Sequence, residues 1–209
     1  MHIHQQQIEQ LEQRYRTTFI NSLAGYRQAV LVGTKSTQGI SNLAIFNSLI
    51  HLGANPALFG LICRPAPEGV ERHTLQNILD TGVYSLNFVS AAYMQQAHQT
   101  SARYPAHASE FQSVGFGECY LPDFAAPCVA EAVVRIAMQF RQLIPIELNN
   151  TALIIGSIRQ VEFNEVEVQP DGFVNLEPAQ VLISQGLDAY FTGTGLGRLP
   201  YAKPILKNQ

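Results

Sequence analysis

Arg72, His73 and Thr74 open the stretch RHTLQNILDTG, and their order sets a guanidinium beside the start of a helix. Leu75, Ile78 and Leu79 form one apolar stripe at helical spacing, Gly82 supplies a stop, and Thr74 stands at the entrance as a cap. The first backbone N–H groups of a helix point outward without partners, so an anion placed there is stabilised by roughly 0.3 to 1 kcal/mol, more where partly buried. Arg72 can add a forked, charge-assisted pair to a phosphate, and the Thr74 hydroxyl a further donor. The same residues also read as a self-capped helix with a solvated arginine, and the segment alone does not choose between the two.

Two further stretches could line a ligand. SNLAIFNSL carries Asn42, Asn47 and Ser48 among small and apolar residues, which suits a flat aromatic group exchanging hydrogen bonds with amides and backbone. It also reads as a strand with one wet face. HQTSARYPAHASEF puts Thr100, Ser101, Arg103 and Tyr104 into a loop after a helix, a mixture that either binds something or is simply solvated.

Other chemistries lack their signatures. GTGLGRL, from Gly193 to Leu199, has its glycines spaced G-x-G-x-G and is followed by Pro200 where a dinucleotide-binding helix would have to grow. No GxSxG elbow, Walker loop or HExxH occurs. Cys63, Cys119 and Cys128 are odd in number, far apart in the chain and form no CxxC, so neither a disulfide framework nor a zinc site is expected. His2 and His4 form an HxH at the terminus, and no metal site is expected there.

The elements that must position these residues follow from periodicity. Ile8, Leu11, Tyr15, Phe19, Ile20 and Leu23 predict one amphipathic helix over 5–23, stopped by Gly25. QAVLVGT is β-like, STQGIS is a turn, and NLAIFNSLIHLG and ALFGLIC are two more extended segments. After the loop RPAPEGVE and the helix at Arg72, VYSLNFV returns as a strand, and Ser90 caps the short helix SAAYMQQAHQT. Residues 120–146 and 149–163 read as two long antiparallel strands, NEVEVQPDGFVN as a hairpin or surface loop, and the glycine- and aromatic-rich tail from Leu187 as a loop. Many short strands with a few interposed helices, and no regular alternation, favour a closed or nearly closed β-barrel with helices on its rim.

The totals agree with a compact body. The chain has 209 residues, 46% of them apolar and only 14% charged, and its net charge of −3 comes without a basic run, so nucleic acid is not an expected partner. No apolar run is long enough for a membrane span and the polar start has no signal-peptide character, so no membrane partner and a cytoplasmic location are expected.

Taken in order, the three stretches resemble the flavin reductase-like, FMN-binding split-barrel family. There a segment like NLAPFSFFNALS is followed by a KDTLRNI-type helix start and then a TSADYP…EF loop. This chain reads NLAIFNSLIHLGANP, RHTLQNILDTG and TSARYP…SEF, then PCVAEAVVRI and NTALIIGSI, which are also similar to the family's strands, over about Arg27 to Phe163. The first helix and the GLDAYFTGTGLGRL tail suggest a subgroup. Ile45 stands where many members have proline, Arg72 replaces lysine, and His73 replaces an acid; the last two exchanges keep or improve anion binding.

The resemblance implies a mainly β (α+β) fold, a split β-barrel with a few peripheral helices including one at the N-terminus, as a single domain over residues 1–209. It implies a homodimer binding FMN through Asn42, Ala44, Asn47, Ser48, Arg72, His73, Thr74, Ser101 and Tyr104. Electrons would pass from NADH or NADPH, a transient donor, through the flavin to a flavin, iron or protein acceptor, and the polypeptide would need no catalytic acid or base. A non-catalytic FMN-binding electron carrier and a flavin-free structural relative are the alternatives.

Overall fold

The computed structural model describes residues 2–65 and 72–204, so the greater part of the RPAPEGVE loop lies outside the described residues. Helices α1 (Gln5–Gln10) and α2 (Gln13–Leu23) lead into β1 (Arg27–Gln28), β2 (Val30–Lys35), β3 (Ser41–Phe46), β4 (Leu49–Ala54) and β5 (Ala57–Cys63). Helix α3 (His73–Thr81) precedes β6 (Val83–Phe88), and a 3-10 turn over Ala91–Tyr93, α4 (Met94–Gln99) and α5 (Glu110–Val114) follow. The chain continues through β7 (Glu118–Cys119), β8 (Cys128–Val129), β9 (Val134–Ile146), β10 (Thr151–Phe163), β11 (Glu167–Val168), β12 (Val174–Asn175), β13 (Ile183–Gln185) and β14 (Ala189–Phe191).

Seven strands form one antiparallel sheet in the order β3-β2-β6-β9-β10-β5-β4. The two edge strands, β3 and β4, are consecutive in the chain and only Asn47 and Ser48 separate them. A two-residue link can join opposite edges only if the sheet curls round until they approach. They approach without pairing, and the result is a split barrel, the expected mainly β architecture with a few peripheral helices.

Strand β2 shows why the run QAVLVGT does not alternate. Val30 and Val32 face one buried cluster with Ile78, Tyr84 and Leu86, while Ala29 and Leu31 face a second with Leu43, Ala97, Phe111 and Phe116. Helix α3 covers the first face of β2, and α4 and α5 close the other side along β3. A strand buried on both faces reads as a nearly continuous apolar run.

Four expectations are corrected. The helix predicted over 5–23 is two, because Leu11 is extended and the Glu12 carboxylate accepts from the N–H groups of Arg14 and Tyr15, starting α2 afresh. NLAIFNSLIHLG is two strands at opposite sheet edges with the corner at Asn47–Ser48. The long strand predicted from Tyr120 begins only at Val134, with just the short β8 before it; Leu121, Phe124, Ala126 and Cys128 are apolar because they pack as a third small cluster. The tail is partly ordered, since Ala189–Phe191 pairs with β13. The hairpin expected over 164–175 forms, through β11 and β12. Among the described residues no helix is long and apolar enough to cross a membrane.

Candidate functional site

Helix α3 starts two residues earlier than its threonine suggests. Arg72 occupies the N-cap with φ −99° and ψ 85°, His73 and Thr74 are the first two helical residues, and among the described residues no side chain caps the helix. Arginine has only donors, so it cannot accept from the first-turn N–H groups. Its Nη2 instead donates to the Pro65 carbonyl at 3.3 Å, and the side chain is exposed. Gly82 ends the helix in the left-handed conformation at φ 72°, as expected.

Thr74 does not cap because its hydroxyl is committed inward. Its Oγ1 accepts from Asn42 Nδ2 of β3 at 3.1 Å, and that same nitrogen lies 3.3 Å from Thr34 Oγ1 of β2. Asn77 Nδ2, one turn further along α3, donates to Thr34 Oγ1 at 3.1 Å. All four residues are buried. Together they form a polar rivet that fixes the start of α3 to β2 and β3, and each link offsets the desolvation of its members.

The rivet changes the part played by Asn42. Its amide nitrogen is held inside the fold, and only its carbonyl oxygen is left for any other contact. Asn47 and Ser48 are likewise tied: Asn47 Nδ2 donates to the Gly186 carbonyl at 2.6 Å, while Ser48 Oγ donates to the Ile62 carbonyl and accepts from the Ile62 N–H, both at 3.1 Å. These three bonds take over where the chain turns the corner between β3 and β4. Ala44, half-buried, shares a face of β3 with Asn42 and Phe46 and puts only a methyl beside the rivet.

The backbone of β3 offers what its side chains do not. As a sheet edge, β3 has β2 on one side only, so every second N–H points away from the sheet. The Leu43 N–H is one of these and donates to the buried carboxylate of Glu110 at 3.0 Å. The next outward N–H belongs to Ile45. A proline there, as in the similar segment of the family, would be tolerated but would lack this donor.

Glu110 is the residue beside the candidate site that motif reading passed over, although it stands inside the quoted SEF. It sits in the first turn of α5, 5% exposed, and burial pushes its carboxyl above the ordinary range; the Leu43 N–H and the nearby His73 pull the other way. The start of α5 therefore lies against β3 and close to the start of α3. Ser101 and Tyr104 lie in the connection between α4 and α5: Ser101 is exposed with its N–H on the His98 carbonyl, and the Tyr104 hydroxyl accepts from Gln99 Nε2 at 3.2 Å. Both α4 and α5 pack on β3, which brings all three motif stretches to one edge of the sheet.

The start of α3, with a cation at its N-cap, lies beside the edge strand β3 of a split barrel, and this is the candidate site. The chain belongs to the flavin reductase like domain family, whose model matches residues 25–180. A crystal structure from Shewanella frigidimarina, described as a flavin reductase with a split barrel domain, is 44% identical and superposes with a TM-score of 0.92 over 97% of this chain and all of that one. Nitrilotriacetate monooxygenase component B from Bacillus cereus shares the fold at 17% identity, with a TM-score of 0.82 over 95% of this chain and 98% of its own. Flavoredoxin of Desulfovibrio vulgaris does so at 20% identity, with a TM-score of 0.71 over 83% and 90%. By sequence, an uncharacterised protein of Halalkalibacterium halodurans is 28% identical over 120 residues, and the chain spans 57% of that relative's length.

Proposed function

We propose that the chain binds FMN at this edge and works as an oxidoreductase of the flavin reductase or flavoredoxin type. The observation that carries the reading is the start of α3 beside the edge strand β3, within a segment that matches the flavin reductase like family.

The residues fit the cofactor. The N–H groups of the first turn, with Arg72, His73 and the Thr74 position, hold a phosphate dianion, each contact strengthened by charge. Ala44 gives the isoalloxazine room against β3, the outward Ile45 N–H meets its polar edge, and Ser101 and Tyr104 flank it from the α4–α5 connection. Asn42, Asn47 and Ser48 act as supports beneath the ring. Bound flavin supplies the two-electron chemistry, and the polypeptide binds, orients and screens it from water. NADH or NADPH is the transient donor, with a flavin, iron or protein acceptor, and the working form is a cytoplasmic homodimer.

Titrating the apoprotein with FMN while following flavin fluorescence tests the binding step. Anaerobic mixing of the complex with NADH and with NADPH then tests the reductase step through loss of flavin absorbance. A protein that leaves FMN fluorescence unchanged, or whose bound flavin stays oxidised with both donors, would overturn the corresponding half of the reading.

A further inference from the structure

Cys119 and Cys128, nine positions apart in sequence with no motif to link them, are direct partners across the β7–β8 ladder. Both side chains belong to the same small apolar cluster with Leu121, Phe124, Ala126 and Ala137, so they lie on one face of the two-stranded sheet. Both are free thiols; Cys128 is fully buried and Cys119 is partly exposed.

The ladder also fixes which kind of pair they form. The Ala130 N–H donates to the Gly117 carbonyl at 2.9 Å, two residues back along β7 and two forward along β8. Antiparallel pairs alternate between hydrogen-bonded and non-hydrogen-bonded, so Cys119 and Cys128 fall on a hydrogen-bonded position with their Cα atoms about 5.5 Å apart. That separation lies within the range a disulfide spans, while the Cβ atoms start slightly wide of it. A bond made there is closed by a small inward shift and is correspondingly easy to reopen.

We propose that Cys119 and Cys128 form a reversible dithiol–disulfide site that reacts with hydrogen peroxide. The Cys119 sulfur, the accessible one, attacks the peroxide, breaks its O–O bond and becomes a sulfenic acid as one water leaves. The Cys128 sulfur then attacks the sulfenic sulfur, the S–S bond forms and a second water leaves, so two thiols lose two electrons and two protons to one peroxide. Reduction by a dithiol reverses the step. Burial lifts both thiols above their ordinary value, Cys128 to about 11, so the pair reacts slowly, and Cys63, buried elsewhere and lifted equally, has no sulfur opposite it. The inference does not depend on flavin binding.

The bond would staple the segment between the two cysteines. Next to it, the Glu118 carboxylate accepts from Ser41 Oγ of β3 at 2.7 Å and from the Tyr120 hydroxyl, which itself accepts from Lys35 Nζ of β2 at 2.9 Å. The site therefore lies one residue from contacts that reach the proposed ring-binding strand.

The test is made on the folded, full-length protein treated with hydrogen peroxide, quenched, alkylated under denaturing conditions and digested with trypsin. Both cysteines lie in the one peptide Tyr104–Arg135, and Cys63 lies in another. The expected result is a Tyr104–Arg135 peptide lighter by two hydrogens that escapes alkylation, regains two alkyl groups after dithiothreitol, and forms equally in Cys63→Ser. In Cys128→Ser the expected product is over-oxidised Cys119 in place of the bridge. Two alkyl groups on that peptide after oxidation, or a bridge that includes Cys63, would overturn the proposal.

Discussion

Asn42 and Thr74 are joined by a buried hydrogen bond of 3.1 Å that ties the edge strand β3 to the first turn of α3. It couples the two halves of the candidate site, the strand that would carry a ring and the helix start that would carry a phosphate. The distance between those halves is thus set by the protein before any ligand arrives, which lowers the ordering cost of binding.

Replacing Arg72 with alanine should leave the fold intact, since its side chain is exposed and, among the described residues, its hydrogen bond goes to the Pro65 carbonyl. Loss of a charge-assisted contact to phosphate should weaken FMN binding about ten- to hundredfold. Fluorescence titration against FMN and against riboflavin checks this, because riboflavin lacks the phosphate and its affinity should not change.

Thr34→Val should be costly although it is nearly isosteric. Thr34 Oγ1 accepts from both Asn42 and Asn77, and a methyl in its place strands two buried amide donors. The expected loss is about 1–3 kcal/mol for each donor left unpaired. Urea unfolding followed by circular dichroism measures it.

Gly33→Ala should be among the most damaging single changes in the sheet. A Cβ there would stand 2.2 Å from the Pro127 carbonyl oxygen and 2.5 Å from Ser85 Oγ, and the first of these is backbone that cannot swing aside. The strand would have to part from the segment that crosses it, at a cost of about 1–3 kcal/mol or more. Thermal unfolding beside Gly39→Ala, where a Cβ meets no atom within 4 Å but φ is +85°, separates crowding from backbone strain.

Glu110→Gln should show a stability difference that depends on pH. Burial raises the Glu110 carboxyl in the folded state, so the folded protein holds its proton where the unfolded chain has released it. Stability then falls as pH rises through the ordinary carboxyl range to the raised folded value. The glutamine oxygen can still accept from the Leu43 N–H without carrying a charge. The variant should therefore match the wild type in acid and gain on it toward neutrality, as unfolding curves at several pH values will record.

Much of this arrangement is legible in the residues, and the failures have physical causes. ALFGLIC, VYSLNFV and the helix ended by Gly82 announce themselves because local periodicity and a stop residue agree with their tertiary setting. Glu12 looked like one more polar residue in a helix, yet a carboxylate can start a helix as readily as continue one. The corner at Asn47–Ser48 carries no glycine or proline, and the bonds that stabilise it run to Gly186 and Ile62, far away in sequence. Motif reading offers Asn42, Asn47 and Ser48 as polar groups for a ligand, but it cannot see that their amide and hydroxyl donors are spent inside the fold. The Ile45 N–H was invisible for a related reason: which backbone groups face outward is decided by which strand ends at the edge.

The tie at Asn47–Ser48 joins the first and last staves of the sheet. A protease nick at that peptide would keep all six ladders paired and yet free the hoop that rolls them together. The cleaved molecule would then relax only as far as strand twist permits, and its change in hydrodynamic radius would divide the curvature inherent in the staves from the curvature imposed by the hoop.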